Sequence, residues 1–264
     1  MPELPEVETV LRSIASRVTG RLIRDARYLS PLAADGEPER MAAALAGRRI
    51  LEPRRKGKYL IFRLDAGWMW IHLRMTGRLL IDAPRTPWTR AILEFDDGHA
   101  LVFDDPRQFG RLVWSSAPPD DAGRLGPDAL DLDSVEFAAR LRGRRGRVKP
   151  LLLNQRIVSG LGNIYVDEAL HRARIHPLAS AARLGPARLA RLHQAVAEVL
   201  AEAIAAGGSS ISDYVDADGR RGWFQFEHRV YGREGQPCPA CGSAIRRIVL
   251  AQRGTHYCPR CQRI

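Results

Sequence analysis

Lysine is nearly missing from this chain. Of its 41 lysine and arginine residues, only Lys56, Lys58 and Lys149 are lysines. A GC-rich coding sequence would produce such a bias, and against it the three surviving lysines stand out. Arginine stays charged at any ordinary pH, so it cannot replace a lysine that must give up or take a proton. Cysteine is absent until Cys238, and all four cysteines lie between Cys238 and Cys261. That confinement excludes a disulfide scaffold spread along the chain and points to one metal site. No apolar run approaches the roughly 20 residues of a membrane span. No charged-then-apolar leader precedes the first helix, so a cytoplasmic protein with no membrane partner is expected. Acidic residues are also short, at 30 against 41 basic ones, for a net charge of +11. A polyanion is the expected partner.

What is present begins at the first residues, Met1-Pro2-Glu3-Leu4-Pro5-Glu6-Val7-Glu8-Thr9. Removal of Met1 would expose a proline nitrogen, a secondary amine able to form an iminium with an electrophilic carbon. α-Amino groups titrate near 7.7–8.0 in general, so such a nitrogen is partly unprotonated at neutral pH. A lysine needs strong desolvation to reach the same state. Glu3, Glu6 and Glu8 supply carboxylates beside it, enough for covalent catalysis with proton transfer. The plainer reading is a helix start: acidic residues favour a helix N-terminus through its dipole.

Apolar residues at helical spacing, Val7, Val10, Leu11, Ile14 and Val18, predict a helix over 5–18. From about residue 22 to 114 the pattern turns to short strands, at 48–53, 59–64, 68–72, 78–81, 91–95, 100–103 and 111–114, with a helix at 38–45. Turns such as Asp96-Asp97-Gly98 separate them, which indicates a sandwich or barrel-like domain. A stretch rich in Pro, Gly and Asp follows, and then helices at 135–142, 149–153, 163–172 and 186–206. Gly207-Gly208 stops the last one. A polar loop at 209–222 and a strand-and-turn module from 224 complete the chain.

The last module reads Cys238-Pro-Ala-Cys241, sixteen residues, then Cys258-Pro-Arg-Cys261. Two such pairs supply four thiolates for a tetrahedral Zn²⁺. Arg253 lies in Gln252-Arg253-Gly254-Thr255-His256, where a hairpin tip is expected and a phosphate contact is possible. Gly160-Leu161-Gly162-Asn163 precedes a helix whose N-terminal N–H groups could take phosphate, with Asn163 as its cap. Arg140, Arg142, Arg144, Arg145, Arg147 and Lys149 form the densest basic run. His72-Leu73-Arg74-Met75-Thr76-Gly77 and Asp105-Pro106-Arg107-Gln108-Phe109-Gly110 each present a long or planar side chain on a glycine-bounded turn, the form of a wedge inserted between bases.

Taken together, these peptides resemble the bacterial formamidopyrimidine-DNA glycosylases. Pro2–Thr9, Lys58-Tyr59-Leu60, the two wedge peptides, Gly160–Tyr165, Val230-Tyr231-Gly232-Arg233 and the cysteine pairs carry the resemblance, in order along the whole chain. It implies an α+β fold: an N-terminal β-sandwich flanked by helices (1–115), a linker (116–133), a helical domain with a helix–two-turn–helix motif (134–223) and a β-hairpin zinc ribbon (224–264). DNA would lie in the cleft between the domains. The resemblance implies a base-excision glycosylase with lyase activity that flips an oxidised purine, 8-oxoguanine or a formamidopyrimidine, out of the duplex. Flipping is needed because the glycosidic carbon is unreachable inside the stack.

In these terms Pro2 attacks the sugar, Glu3 protonates the ring oxygen, and Glu6 supports that pair. Lys58 binds phosphate and moves a proton during elimination, and Arg253 grips phosphate in the δ-elimination step. Met75, Arg107 and Phe109 form the wedge, with Arg107 facing the orphaned cytosine. His72 and Asn163 contact phosphate, and Arg144, Arg145 and Lys149 add basic contacts. The loop 209–222 closes on the flipped base, with Ser209 through Tyr214 reading it by backbone groups. Two positions depart from the pattern. Trp88 stands where a DNA-contacting histidine is common, so that contact is either lost or taken over by Arg90, and 209–214 carries no basic residue. The implied partner is double-stranded DNA with oxidised purines or abasic sites, the implied cofactor one structural Zn²⁺, and the implied state a nucleoid-associated monomer. The competing readings are an endonuclease VIII-type enzyme for oxidised pyrimidines and a non-catalytic damaged-DNA binder.

Overall fold

The computed structural model describes residues 1–119, 125–211 and 214–264. Its contacts divide the chain into two compact units, Met1–Ala122 with Ala206–Trp223, and Gly123–Ala205 with Phe224–Ile264. The 206–223 stretch, read above with the helical segment, thus belongs by its contacts to the first unit. The physical reason is a set of hydrogen bonds to the first helix, described below.

The first unit opens with α1 (Leu4–Val18). Val7, Val10, Ile14 and Val18 recur at three- and four-residue steps and are all buried. They face eight antiparallel strands in two sheets of four. One sheet has the order β1 (Ile23–Tyr28), β6 (Thr89–Phe95), β7 (Ala100–Asp104), β5 (Arg78–Ile81). The other runs β2 (Ile50–Lys56), β3 (Tyr59–Leu64), β4 (Trp68–His72), β8 (Arg111–Ser115). Phe62, Met69 and Leu112 from one sheet and Leu93, Phe95 and Phe103 from the other share a single core with α1. This is the expected sandwich, with the short helix α2 (Pro38–Leu45) added. The strand β1 was not delineated by pattern. Its sequence, Ile-Arg-Asp-Ala-Arg-Tyr, is half charged, and a bulge between Ile23 and Asp25 breaks the alternation.

The second unit is built on α5 (Asn163–Arg172), which is buried from Ile164 to His171. Around it lie α3 (Ser134–Leu141), α4 (Val148–Leu153) and α6 (Pro186–Ala205). Two turns, stapled by the Gln155 side chain to Gly160 N–H and to the Leu161 carbonyl, join α4 to α5. The hairpin β9 (Arg246–Leu250) and β10 (Arg253–Tyr257) completes the unit. Its two-residue tip, Ala251-Gln252, has positive φ at both positions (48° and 59°). That is the I′ geometry, which matches strand twist but strains residues with a side chain. No helix among the described residues is long and apolar enough to cross a membrane.

Candidate active site

The start of the chain is held unusually well for a terminus. Pro2, Glu3 and Glu6 are buried. Glu6 reaches back as in a capping box, and its Oε2 accepts the Glu3 N–H at 2.8 Å. Its Oε1 accepts the Ser209 N–H at 2.7 Å. The Tyr214 hydroxyl donates to the Glu6 carbonyl at 3.3 Å. Burial, with the Glu6 carboxylate second, raises the Tyr214 phenol pKa above its ordinary value. One carboxylate therefore joins Pro2-Glu3 to the 209–214 loop. Gly208 is required there: it sits at φ +82°, and a Cβ would come 2.8 Å from Glu6 Oε1. Ser210 Oγ accepts the Gly222 N–H and donates to the Tyr214 carbonyl, closing the loop on itself. Ser212 and Asp213, expected within the lesion-reading stretch, lie outside the described residues, as do Asp120–Arg124 of the expected linker.

Lys58 is buried in the two-residue turn between β2 and β3, after Gly57 at φ +57°. A pair missed by sequence reasoning sets that turn against α1. Arg55, on β2, donates through Nε to Glu8 Oε2 at 2.8 Å and through Nη1 to the Gly57 carbonyl at 3.0 Å. Burial alone would raise the Glu8 pKa, but hydrogen bonds to Arg55 and Arg12 bring it below the usual value. The only signal in sequence was a third carboxylate in the first helix.

His72, at the end of β4, packs edge-on against Tyr59 and is buried. Burial first, then the charges of Arg74 and Lys58, push its pKa down to about 3. It is neutral, and its Nδ1 accepts the Arg74 N–H at 3.0 Å. The proton is therefore on Nε2, which leaves one N–H to offer a phosphate oxygen.

The two wedge peptides meet at Asp105, which the sequence reading passed over. Asp105 is fully buried. Its Oδ2 accepts the Gly110 N–H at 2.7 Å, and its Oδ1 accepts the Arg107 N–H at 3.2 Å and the Thr76 hydroxyl. Its carbonyl accepts Arg90 Nε at 2.8 Å, so Arg90 braces the wedge loop. Gly77 and Gly110 are sterically required, since a Cβ at either would come within 2.5 Å of a neighbour. The loops so held present Met75 and Phe109 exposed at 40% and 50%, with the Arg107 guanidinium 5.0 Å from the Phe109 ring centre. Exposed apolar side chains on clamped loops suit insertion into a base stack.

In the second unit Arg253 is exposed at the first position of β10. Asn163 is the first residue of α5, and the N-cap is Gly162 rather than Asn163. Its amide donates to the Gly254 carbonyl at 2.9 Å, next to Arg253. Arg144 and Arg145 are exposed, with Arg144 Nε on the Arg140 carbonyl. Lys149 corrects the sequence reading. It is fully buried, 2.6 Å from Asp167, and also donates to Thr255 Oγ1 and the Gly254 carbonyl. Its charge serves α5 and the hairpin, not a phosphate. Glu168, the next residue on α5, accepts three backbone N–H groups, from Arg229, Val230 and Tyr231.

The Sγ atoms of Cys238, Cys241, Cys258 and Cys261 all lie within 4.8 Å of one another. Cys241–Cys258 and Cys238–Cys261 are 3.4 and 3.9 Å apart. A tetrahedral site with metal–sulfur bonds of about 2.3 Å has edges of about 3.8 Å, so this set fits one zinc ion.

A two-sheet unit with a buried proline start, paired with a helical unit that ends in a four-cysteine ribbon, defines the class. Family models match in the same order: the formamidopyrimidine-DNA glycosylase N-terminal domain over 1–112, its H2TH domain over 125–215, and a zinc finger found in FPG and IleRS over 235–264. The chain is 51% identical to a formamidopyrimidine-DNA glycosylase of Solibacter usitatus, with both chains fully covered. It superposes on the MutM (FPG) protein of Thermus thermophilus with a TM-score of 0.89, at 44% identity and with 99% and 98% of the two chains covered. Lactococcus lactis Fpg in complex with DNA containing N7-benzyl-Fapy-dG gives 0.91, at 38% identity and full coverage of both chains. The chain belongs to the formamidopyrimidine-DNA glycosylase family.

Proposed function

We propose that this protein is a bifunctional glycosylase and lyase of base excision repair that removes oxidised purines from duplex DNA through an iminium on Pro2. The observation that carries the reading is the Glu6 carboxylate, which ties the residues following Pro2 to the 209–214 loop. A plain DNA binder has no use for a buried Pro2 beside the Glu3 and Glu6 carboxyl groups. Pro2, freed of Met1, attacks C1′ and the damaged base leaves. Glu3 gives a proton to the ring oxygen as the sugar opens. The iminium acidifies the neighbouring sugar C–H, so β-elimination cuts the strand, and δ-elimination follows. Lys58 moves a proton in that phase and, with His72 Nε2–H, holds phosphate. Arg253 and Asn163 take phosphate on the second unit. Met75, Arg107 and Phe109 fill the gap left by the flipped base. Zinc, held by the four cysteines, supplies rigidity to the hairpin that carries Arg253. The enzyme works as a monomer in the cytoplasm.

Borohydride trapping tests the whole reading. A duplex with one 8-oxoguanine opposite cytosine is incubated with enzyme and reductant, beside a thymine-glycol duplex. The expected product is an adduct that maps to residue 2, on protein that mass spectrometry shows to begin at Pro2. Full activity with Met1 retained, or an adduct elsewhere, would refute it. Preferential trapping on thymine glycol would assign the pyrimidine class instead.

A further inference from the structure

We propose that His171 on α5 donates a hydrogen bond from Nε2 to the zinc-bound sulfur of Cys238, so that metal retention depends on the helical core as well as on the ribbon. His171 Nε2 lies 3.4 Å from Cys238 Sγ, and both residues are buried. A bare thiol could act as donor or acceptor here. A sulfur bound to zinc is a thiolate, which has no proton to give, so the imidazole must be the donor. The other ring nitrogen supports this tautomer. Nδ1 is buried and has no partner among the described residues. A proton there would be an unsatisfied donor, whereas on Nε2 it has an acceptor.

The position favours the same role. Basic residues are ordinary in the last turn of a helix, where they face the negative end of its dipole. That role calls for a charged and solvated side chain, and His171 is neither exposed nor turned to solvent. One turn further on, Gln262 of the ribbon donates to the Ile175 carbonyl at 2.9 Å and accepts the Cys258 N–H at 2.8 Å. One cysteine pair is thus tied to the last turn of α5 through a metal ligand directly, and the other to the segment that follows the helix. A donor to a thiolate draws charge from sulfur, disfavours its protonation and slows the detachment that begins zinc loss. Hydrogen-bond partners of metal ligands tune affinity in this way.

Two measurements on the full-length, zinc-loaded protein test this. The first is the rate of zinc transfer to the chromophoric chelator 4-(2-pyridylazo)resorcinol. His171→Phe should release zinc about tenfold faster than wild type, the low end of the effect of such partners. His171→Gln retains an amide N–H and should stay within about threefold. Wild-type release from H171F, or H171Q as fast as H171F, would overturn the proposal, the second by showing that ring packing and not the N–H matters. The second measurement replaces zinc with Co²⁺. Sulfur relieved of a hydrogen bond gives up electrons more easily, so the sulfur-to-cobalt absorption should move to longer wavelength in H171F. An unmoved band with cobalt bound would also overturn it. Should H171F fail to fold, His171→Leu is read in its place.

Discussion

Replacing Asp105 by asparagine tests whether the wedge is held by one buried carboxylate. The change is nearly isosteric, so packing is kept and only the acceptors alter. Asp105 faces the N–H groups of Gly110 and Arg107 and the Thr76 hydroxyl with two oxygens. Asparagine has one oxygen, so in either amide orientation an NH₂ group confronts a backbone N–H. A buried donor left without an acceptor costs about 1–3 kcal/mol. The surviving bonds also lose their charge assistance, which roughly halves them. A total near 2–3 kcal/mol corresponds to roughly a 30- to 150-fold rise in displaced loop. The expected outcome is a fall in single-turnover excision of 8-oxoguanine from a duplex, with that factor as its upper bound. Strand cleavage at an abasic site in a single-stranded oligonucleotide needs no wedge and should change by about twofold or less. Both rates come from one denaturing gel with labelled strands. Equal losses on both substrates, or full duplex activity, would refute the argument that Asp105 acts through Met75, Arg107 and Phe109.

Arg55→Ala removes the tie between Glu8 and the Gly57-Lys58 turn, so strand cleavage should fall more than base release; separate gels with and without alkali measure the two, and equal falls would argue against a Lys58-specific effect. Cys258→Ser breaks the thiolate set, and duplex affinity should drop together with bound zinc, as followed by fluorescence anisotropy and metal analysis; unchanged affinity in zinc-free protein would count against the ribbon as a DNA contact. His72 titrates near 3 when folded and near 6.5 when unfolded, so only the unfolded chain takes up its proton between those values. Its contribution is fully present above pH 6.5 and declines as pH falls toward 3. His72→Gln should therefore flatten the acid side of the stability curve by up to about 1.4 kcal/mol per pH unit in denaturant titrations, and an unchanged slope would show that His72 protonates freely.

The helix at the chain start, most strands and the cysteine ribbon were legible because periodicity and spacing encode them directly. Sheet order was not. Alternation along β6 says which face is buried, not which strand lies beside it, and the two sheets draw on strands interleaved in sequence. The residues proposed to react, Pro2, Glu3 and Lys58, were named from chemistry and resemblance. The buried charges that brace each unit were missed for a shared reason: Arg55, Asp105, Asp167 and Glu168 are charged residues, and a sequence gives no sign that a charge is buried with a partner. Lys149 shows the same failure in reverse. It follows five arginines and read as one more surface cation, although the apolar Val148-Lys-Pro-Leu-Leu-Leu153 around it marked a buried helix.

The shared acceptor at Glu6 also sets terms for anyone who would transplant a different 209–222 segment into this chain. The contact is made by a main-chain N–H, so the side chain at position 209 is not bound by it. What a donor segment must preserve is the path that brings that N–H to the carboxylate, with glycine kept at 208, where the backbone turns at φ +82° against Glu6. A graft that shifts the path by one residue would disturb the first turn of α1 as surely as a mutation there, and the defect would surface at the opposite end of the sequence from the edit.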